Sequence, residues 1–241
     1  MIIFKSINIQ HLSNLISNRM VGREPYQIHL LNTYNLGLAE KDREYSKILN
    51  GNSSRVLNLA DGWPVSTYLS IKHKRKYSQI RGIDLFRNLV RDNKSAKHYF
   101  LGTTTDNLQK MREGLTSEFP YITIVGTYSP PFTSNINLWI HEFVKDISDL
   151  KIDLLWVGLG TPKQDLVTRL LGQSRLNVNA IVAIGAAFDF ISGEKQEAPK
   201  IMRKLRMEWL YRLIIEPKRL WKRYTVYQLF FLKSILLNHF E

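Results

Sequence analysis

No cysteine occurs in the 241 residues, which excludes disulfides and thiolate zinc sites and fits a reducing compartment. No window holds 18 or more uninterrupted apolar residues, so no transmembrane helix is expected. The opening MIIFKSINIQ has neither a long apolar core nor a small-residue cleavage site, so no secretory signal is expected. No internal repeat or low-complexity tract is visible. Acidic residues are the scarcer charge: 21 Asp and Glu stand against 34 Lys and Arg, a net charge of +13. That imbalance calls for an anionic partner, whether nucleic acid, a phosphorylated substrate or acidic lipid. Hydrophobic and charged fractions of 44% and 23% are otherwise ordinary for a globular chain.

The centre of the sequence is IDLLWVGLGTPKQD, Ile152–Asp165. The apolar run Leu154–Val157 reads as a strand buried on both faces. Gly158 and Gly160 close it, and Pro162 suits the first turn of the helix that follows. In open α/β sheets ligands sit beyond the carboxyl ends of the strands. The helix N-terminus favours an anion, Lys163 adds charge and Gln164 offers an amide.

Similar units precede and follow. Ile2–Ile9 is apolar enough for an edge strand, and Tyr26–Leu31 reads as a buried one ending near Thr33 and Asn35. A helix is expected from Leu36 to Asn50, closed by Gly51 and Asn52. The strand Arg55–Leu59 runs into Asp61-Gly62, where a carboxylate can face an open cleft and accept a proton, although Asp-Gly is also a common turn pair. The basic run IKHKRKYS comes next. Arg81 opens a helix and belongs to the candidate substrate-binding set. The strand Lys97–Leu101 ends at Gly102-Thr103-Thr104-Thr105, whose hydroxyls can cap a helix or hold a phosphate. A helix is expected over Leu108–Leu115, a strand over Tyr121–Val125, a loop over Gly126–Thr133 and a helix over Asn135–Leu150. The strand Ala180–Ile184 leads to Gly185, and Asp189 follows between two phenylalanines, placed to bond a ligand or to cap local backbone. About six strand-plus-helix units predict a mostly parallel sheet flanked by helices.

From Gln196 the composition changes. Basic residues interleave with Trp, Leu and Tyr, and no strand pattern remains. Ile201–Ile215 reads as one helix and Pro217 to about His239 as another. The chain is therefore divided into a Rossmann-like α/β domain, residues 1–195, and a basic helical appendage, residues 196–241. Arginine and tryptophan on amphipathic helices suit a membrane surface. The competing expectation is that these helices cover the sheet and pair with a second subunit in a homo-oligomer. No nucleic-acid-binding signature accompanies the charge, so nucleic acid is not an expected partner.

Six elements occur in order: Asp61-Gly62; Gly158-x-Gly160-x-Pro162-Lys163-Gln164; Gly185-x-x-Phe188-Asp189-Phe190-x-x-Gly193; Glu208-Trp209-Leu210-Tyr211-Arg212; Glu216-Pro217-x-Arg219-Leu220; and Lys222-Arg223-Tyr224. Together they resemble the WecG/TagA/CpsF glycosyltransferases over roughly Tyr26 to Tyr224. The resemblance implies a Rossmann-like core with a C-terminal appendage, and an inverting, metal-independent sugar transfer. The donor would be a UDP-sugar, most often of N-acetylmannosamine type, with uronosyl and glucosyl variants. The acceptor would be an undecaprenyl-diphosphate-linked sugar in cell-surface polysaccharide synthesis. No cofactor is implied, and the expected location is cytoplasmic, peripheral on the inner face of the membrane. By resemblance, Asp61 is the base, Thr33 and Asn35 position a sugar, and Gln164 and Asp189 bind the donor. The loops carrying Gly102, Thr103, Gly158, Gly160, Lys163 and Gly185 are the expected nucleotide site. Without a metal, amides and cations must take the diphosphate charge, and Arg212, Arg219 and Arg223 suit bidentate phosphate contact. Three departures stand out. Asp165 replaces a family Glu, Gly185-Ala186-Ala187 is less glycine-rich than usual, and Glu197 occupies a family arginine position. Two other classes share these features: a nucleotide-binding protein without transfer activity, and a basic nucleic-acid binder.

Overall fold

A computed structural model describes residues 2–17, 24–50 and 54–237. Six strands, β1 (Tyr26–Leu31), β2 (Val56–Ala60), β3 (Lys97–Gly102), β4 (Thr123–Tyr128), β5 (Ile152–Gly158) and β6 (Val178–Ala183), form one sheet in the order β2-β1-β6-β5-β3-β4. Every pairing is parallel. The expected α/β, Rossmann-like architecture is what the chain adopts. The continuous apolar runs explain it, because parallel strands are covered on both faces.

One face of the sheet packs Leu30, Leu59, Phe100, Trp156 and Val182 against Leu12, Phe86, Leu89, Leu108 and Phe188. These come from α1 (Ile9–Ser17), α5 (Gly82–Asp92), α6 (Thr105–Glu118) and α9 (Ala187–Ile191). On the other face, Leu101, Leu155, Val157 and Ile181 meet Trp139, Phe143, Val167 and Leu171, from the start of α7 (Ile140–Asp146) and from α8 (Lys163–Gln173). Toward the β2 edge, Leu31 and Ala60 meet Leu36, Ala39, Tyr45, Val65, Leu69 and Phe231. These belong to α2 (Thr33–Lys41), α3 (Arg43–Leu49), α4 (Trp63–Lys72) and α13 (Val226–Leu236).

Several boundaries differ from expectation, each for a local reason. Ile2–Ile9 is not a strand: Phe4 makes a single parallel bridge to Asn58, and from Ile9 the apolar periodicity turns helical as α1. The expected Leu36–Asn50 helix is two helices. The Asp42 carboxylate accepts from the Glu44 and Tyr45 amides and restarts the coil, a bond Asp forms more readily than it continues a helix. Its expected closure at Gly51-Asn52 lies outside the described residues. β4 extends to Tyr128, past the expected loop start, and Asn135–Leu150 splits into a 3₁₀ turn (Ile136–Leu138) and α7. Ile201–Ile215 breaks into α10 (Lys200–Lys204) and α11 (Glu208–Ile215) around Arg206, whose φ of 60° leaves the helical region. Pro217 does open a helix, α12 (Pro217–Tyr224), but Thr225 separates it from α13, and the expected end at His239 lies outside the described residues.

The segment from residue 196 shares the core of the domain. α13 crosses α2 so closely that a Cβ at Gly37 would lie 2.1 Å from the Tyr227 carbonyl oxygen. Tyr34 and Tyr227 meet edge to face at 4.8 Å, and Phe231 is buried. No helix among the described residues is long and apolar enough to cross a membrane.

Candidate active site

The candidate residues gather at the carboxyl ends of the strands. Asp61 follows β2, and its amide donates to the Leu31 carbonyl at 2.9 Å, which joins the ends of β1 and β2. Its side chain is partly buried, and burial pushes the carboxyl from 3.8 up to about 6. The Asn32 amide, donating to Oδ2 at 3.4 Å, opposes that rise. Glu208 adds to it, while Arg212 and Arg81 counter it. A carboxylate of this kind can take a proton near neutral pH. Asn32 is itself the N-cap of α2, its side chain accepting from the Tyr34 and Asn35 amides. The N-cap thus holds the helix start and touches the candidate base.

Thr33 and Asn35 lie in the first turn of α2 rather than at a strand tip, and both are buried. Thr33 Oγ1 accepts from Gln228 of α13 at 2.5 Å. Asn35 Nδ2 donates to the Tyr45 hydroxyl at 2.8 Å and to Thr161 Oγ1 at 3.1 Å, linking α2 to the loop after β5. Asp165, the shorter acid in the Lys163–Gln164 motif, is fully buried. It accepts from the Tyr45 hydroxyl at 2.8 Å and lies 2.9 Å from His29 Nδ1. Its role is internal: it fastens α8 to β1 and α3.

The glycines divide by function. Gly102 and Gly158 are paired across β3 and β5. A Cβ at Gly102 would lie 2.4 Å from the Gly158 carbonyl oxygen, and one at Gly158 would lie 2.5 Å from the Phe188 ring. These two are glycine because the ends of the strands and α9 approach closely. Gly160, at φ 75° with open space around its α-carbon, and Gly185, at φ 51° beside the Gln164 amide, instead satisfy turn conformations. Gln164 is buried, and its Oε1 accepts from the Gly160 amide at 3.1 Å, so it shapes the loop it lines. Lys163 donates to the Thr133 carbonyl at 2.8 Å and stands 5.7 Å from the centre of the Trp139 ring. Burial lowers its pKa. Thr103, at φ 51°, accepts from Asn107 Nδ2 at 3.2 Å. Thr104 caps α6 as expected.

The C-terminal helices supply the cations. Arg212 is in no ion pair among the described residues, and its charge reaches Asp61, Tyr224 and Arg223. Arg223 sits 4.4 Å from the centre of the Tyr34 ring. Burial lowers its pKa, Tyr34 resists, and the fields of Arg219 and Arg212 lower it further. The fields of Arg212 and Arg219 thus meet at Arg223, and that of Arg212 also reaches Asp61. Asp189 binds Lys195 at 2.6 Å, Lys195 binds Glu216 at 3.0 Å, and Glu216 also pairs with Arg219. This chain ties α9 to α12.

Arg81 and Glu197 are spoken for by each other. Arg81 reaches Glu197 at 2.7 Å, Glu208 at 3.1 Å and Asp84 at 3.2 Å. Glu197 also accepts Arg203 at 2.8 Å and Arg87 at 3.3 Å. The acid at the arginine position thus holds α10 against α5, and Glu208 ties α11 to the same Arg81. Sequence reasoning gave no site role to Asn32, Tyr34 or Lys195, nor to Glu208 and Tyr224, although these last two stand in the ordered motifs. Asn32 carried a readable signal, since Asn at a strand-to-helix junction is a favoured N-cap. The others meet their partners only through the fold.

The sequence model of the glycosyl transferase WecG/TagA/CpsF family matches residues 2–241. The chain is 35% identical over 188 residues to the N-acetylglucosaminyldiphosphoundecaprenol N-acetyl-beta-D-mannosaminyltransferase of Bacillus subtilis (strain 168), covering 77% of this chain and 69% of that protein. It is 30% identical over 188 residues to the protein of that name from Bacillus spizizenii, covering 77% of this chain and 69% of that protein. The counterpart from Staphylococcus aureus (strain NCTC 8325 / PS 47) is 29% identical over 126 residues, 52% of this chain and 46% of that protein. The chain is thus a nucleotide-sugar-dependent glycosyltransferase and belongs to the WecG/TagA/CpsF glycosyltransferase family.

Proposed function

We propose that this protein transfers an N-acetylmannosamine-type sugar from UDP to a diphosphoundecaprenol-linked N-acetylglucosamine. The relatives' names supply the transferred sugar and the acceptor, and UDP is the carrier that the family resemblance implies. The observation that carries the reading is Asp61: a carboxyl raised to about 6 by burial, at a strand end, beside Arg212. Asp61 takes the proton of the acceptor hydroxyl as that oxygen bonds to the anomeric carbon. The bond from that carbon to the UDP oxygen breaks with inversion, and the electron pair leaves on the diphosphate. Arg212, Arg219 and Arg223 offset charge on diphosphate, a contribution that grows where water is excluded. Gln164, Lys163, Gly160 and Gly185 form the donor side, with Gly102, Thr103 and Gly158 beside them. Asp189 anchors this wall to α12 through Lys195 and Glu216. Thr33 and Asn35 hold the start of α2, and Arg81 holds Glu208 near Asp61. No metal is invoked.

The acceptor's prenyl tail stays in a bilayer, so the enzyme works at a membrane surface, on its inner face. Leu229, Leu232, Leu236 and Trp221 are exposed on α12 and α13, as are Ile214 and Ile215 on α11. Lys218, Lys222 and Lys233 accompany them. Cations near an anionic leaflet contribute about 1 kcal/mol each, and apolar side chains entering it add to that. The reading is tested by offering a panel of UDP-sugars with a synthetic N-acetylglucosaminyl diphosphate prenyl acceptor. UDP release should require the acceptor and be fastest with UDP-N-acetylmannosamine. Release that ignores the acceptor, or oligonucleotide binding with no response to UDP, would refute it.

A further inference from the structure

We infer that Phe132 is the stacking platform for the nucleobase of the donor; this rests on the proposed use of a nucleoside-diphosphate sugar. The sheet order places the switch in connection direction between β3 and β5. The connection from β3 runs outward to β4, and that from β5 runs the other way to β6. A crevice at such a point is where nucleotides dock in open parallel sheets. β4 lies at the edge beyond β3, yet the loop that follows it, residues 129–135, reaches back across both strand ends. Ser129 Oγ donates to the Thr103 carbonyl at the end of β3, at 2.7 Å. Lys163 Nζ, just beyond β5, donates to the Thr133 carbonyl at 2.8 Å. Phe132 lies between these two anchors.

The loop is stiff as well as pinned. Pro130 and Pro131 fix their φ angles, and the Thr133 amide closes a turn on the Pro131 carbonyl at 2.8 Å. Phe132 itself is fully exposed, at 110% of reference. A bare phenyl ring held on a rigid loop has unused apolar area and lost little freedom in getting there. An aromatic base is the part of the donor that such a ring suits, because every base offers a π face and needs no polar partner. The cation and the turn glycines nearby, Lys163, Gly160 and Gly185, would then face the diphosphate.

Removing a base–aromatic stack weakens binding by about 5–150-fold. Calorimetry with UDP and with inorganic pyrophosphate on the full chain separates stacking from loop damage. Phe132→Ala should lose UDP affinity in that range and keep pyrophosphate affinity. Phe132→Trp should restore UDP binding, and its fluorescence should be quenched by UDP but not by pyrophosphate. UDP affinity within twofold of the parent in Phe132→Ala would overturn the inference. So would an equal loss of both ligands, which would make the loop merely structural. Loss of binding to anionic phosphatidylglycerol vesicles with UDP affinity intact would also overturn it and make the ring a bilayer contact. A parent protein that binds no UDP would bring down the donor reading as a whole, a result distinct from the others.

Discussion

Replacing Asp61 by Asn should stop transfer and stabilise the protein. The side chain is partly buried, and its carboxyl is raised from 3.8 to about 6, mainly by burial. The folded state therefore binds a proton more tightly than the unfolded chain. Stability from this group is fully present below pH about 4, falls as pH rises, and is lost above about 6. Each pKa unit corresponds to about 1.4 kcal/mol, so the ionised carboxylate costs the native state up to about 3 kcal/mol at neutral pH. The remaining solvent contact of Asp61 makes that an upper bound. Asn keeps the shape and can still accept from Asn32. At pH 8 the variant should unfold later by up to about 6–12 °C, taking about 2–4 °C per kcal/mol for a chain of this size; at pH 4.5 the gain should shrink to about a third of that. Loss of the base should cut turnover by about 10²–10⁴-fold. In the parent, transfer should rise with pH and level off above about 6. Thermal melts at the two pH values and initial rates test both halves. Equal melting shifts at both pH values, or near-normal turnover by Asp61→Asn, would refute the reasoning.

Two further outcomes follow from named contacts. Glu197→Ala leaves Arg81, Arg87 and Arg203 without their shared carboxylate. It should cost about 2 kcal/mol in urea unfolding, below the range for a fully buried pair because Glu197 retains some exposure; Glu197→Gln should recover part of that. Changing Leu229, Leu232 and Leu236 together to Ser should weaken sedimentation with anionic vesicles at least tenfold while transfer to a short-chain soluble acceptor persists, because all three are exposed. Unchanged sedimentation would move the bilayer contact elsewhere.

The strands were legible because burial on both faces leaves continuous apolar runs such as Leu154–Val157 and Ile181–Ala183. Asp61, Gln164 and Asp189 were legible as polar residues just past those runs. The C-terminal helices were legible as helical and basic, but not in their connection to the core. Gly37, ordinary in sequence, is where α13 crosses α2, and Phe231 enters a core otherwise built from residues before 80. That packing makes deletion of residues 196–241 a poor test of membrane docking, since it removes part of the core, and favours the surface substitutions above. Thr33 and Asn35 look like open polar tips in sequence. In the fold, the capping box at Asn32 turns the chain into a helix there and commits their side chains to Gln228, Tyr45 and Thr161. Glu197 could not be interpreted from its position alone, because two of its three arginines, Arg81 and Arg87, come from α5 and its N-cap, more than a hundred residues earlier in the chain.

The most direct measurement is the structure of the product made in EDTA. Purified protein, UDP-α-N-acetylmannosamine and an N-acetylglucosaminyl diphosphate prenyl acceptor should yield the acceptor lengthened by one N-acetylhexosamine. NMR of the new linkage should give the β configuration, and Asp61→Asn should yield none above background. An α-linked product, or transfer that EDTA abolishes, would contradict direct displacement by an acceptor oxygen deprotonated by Asp61 without a metal.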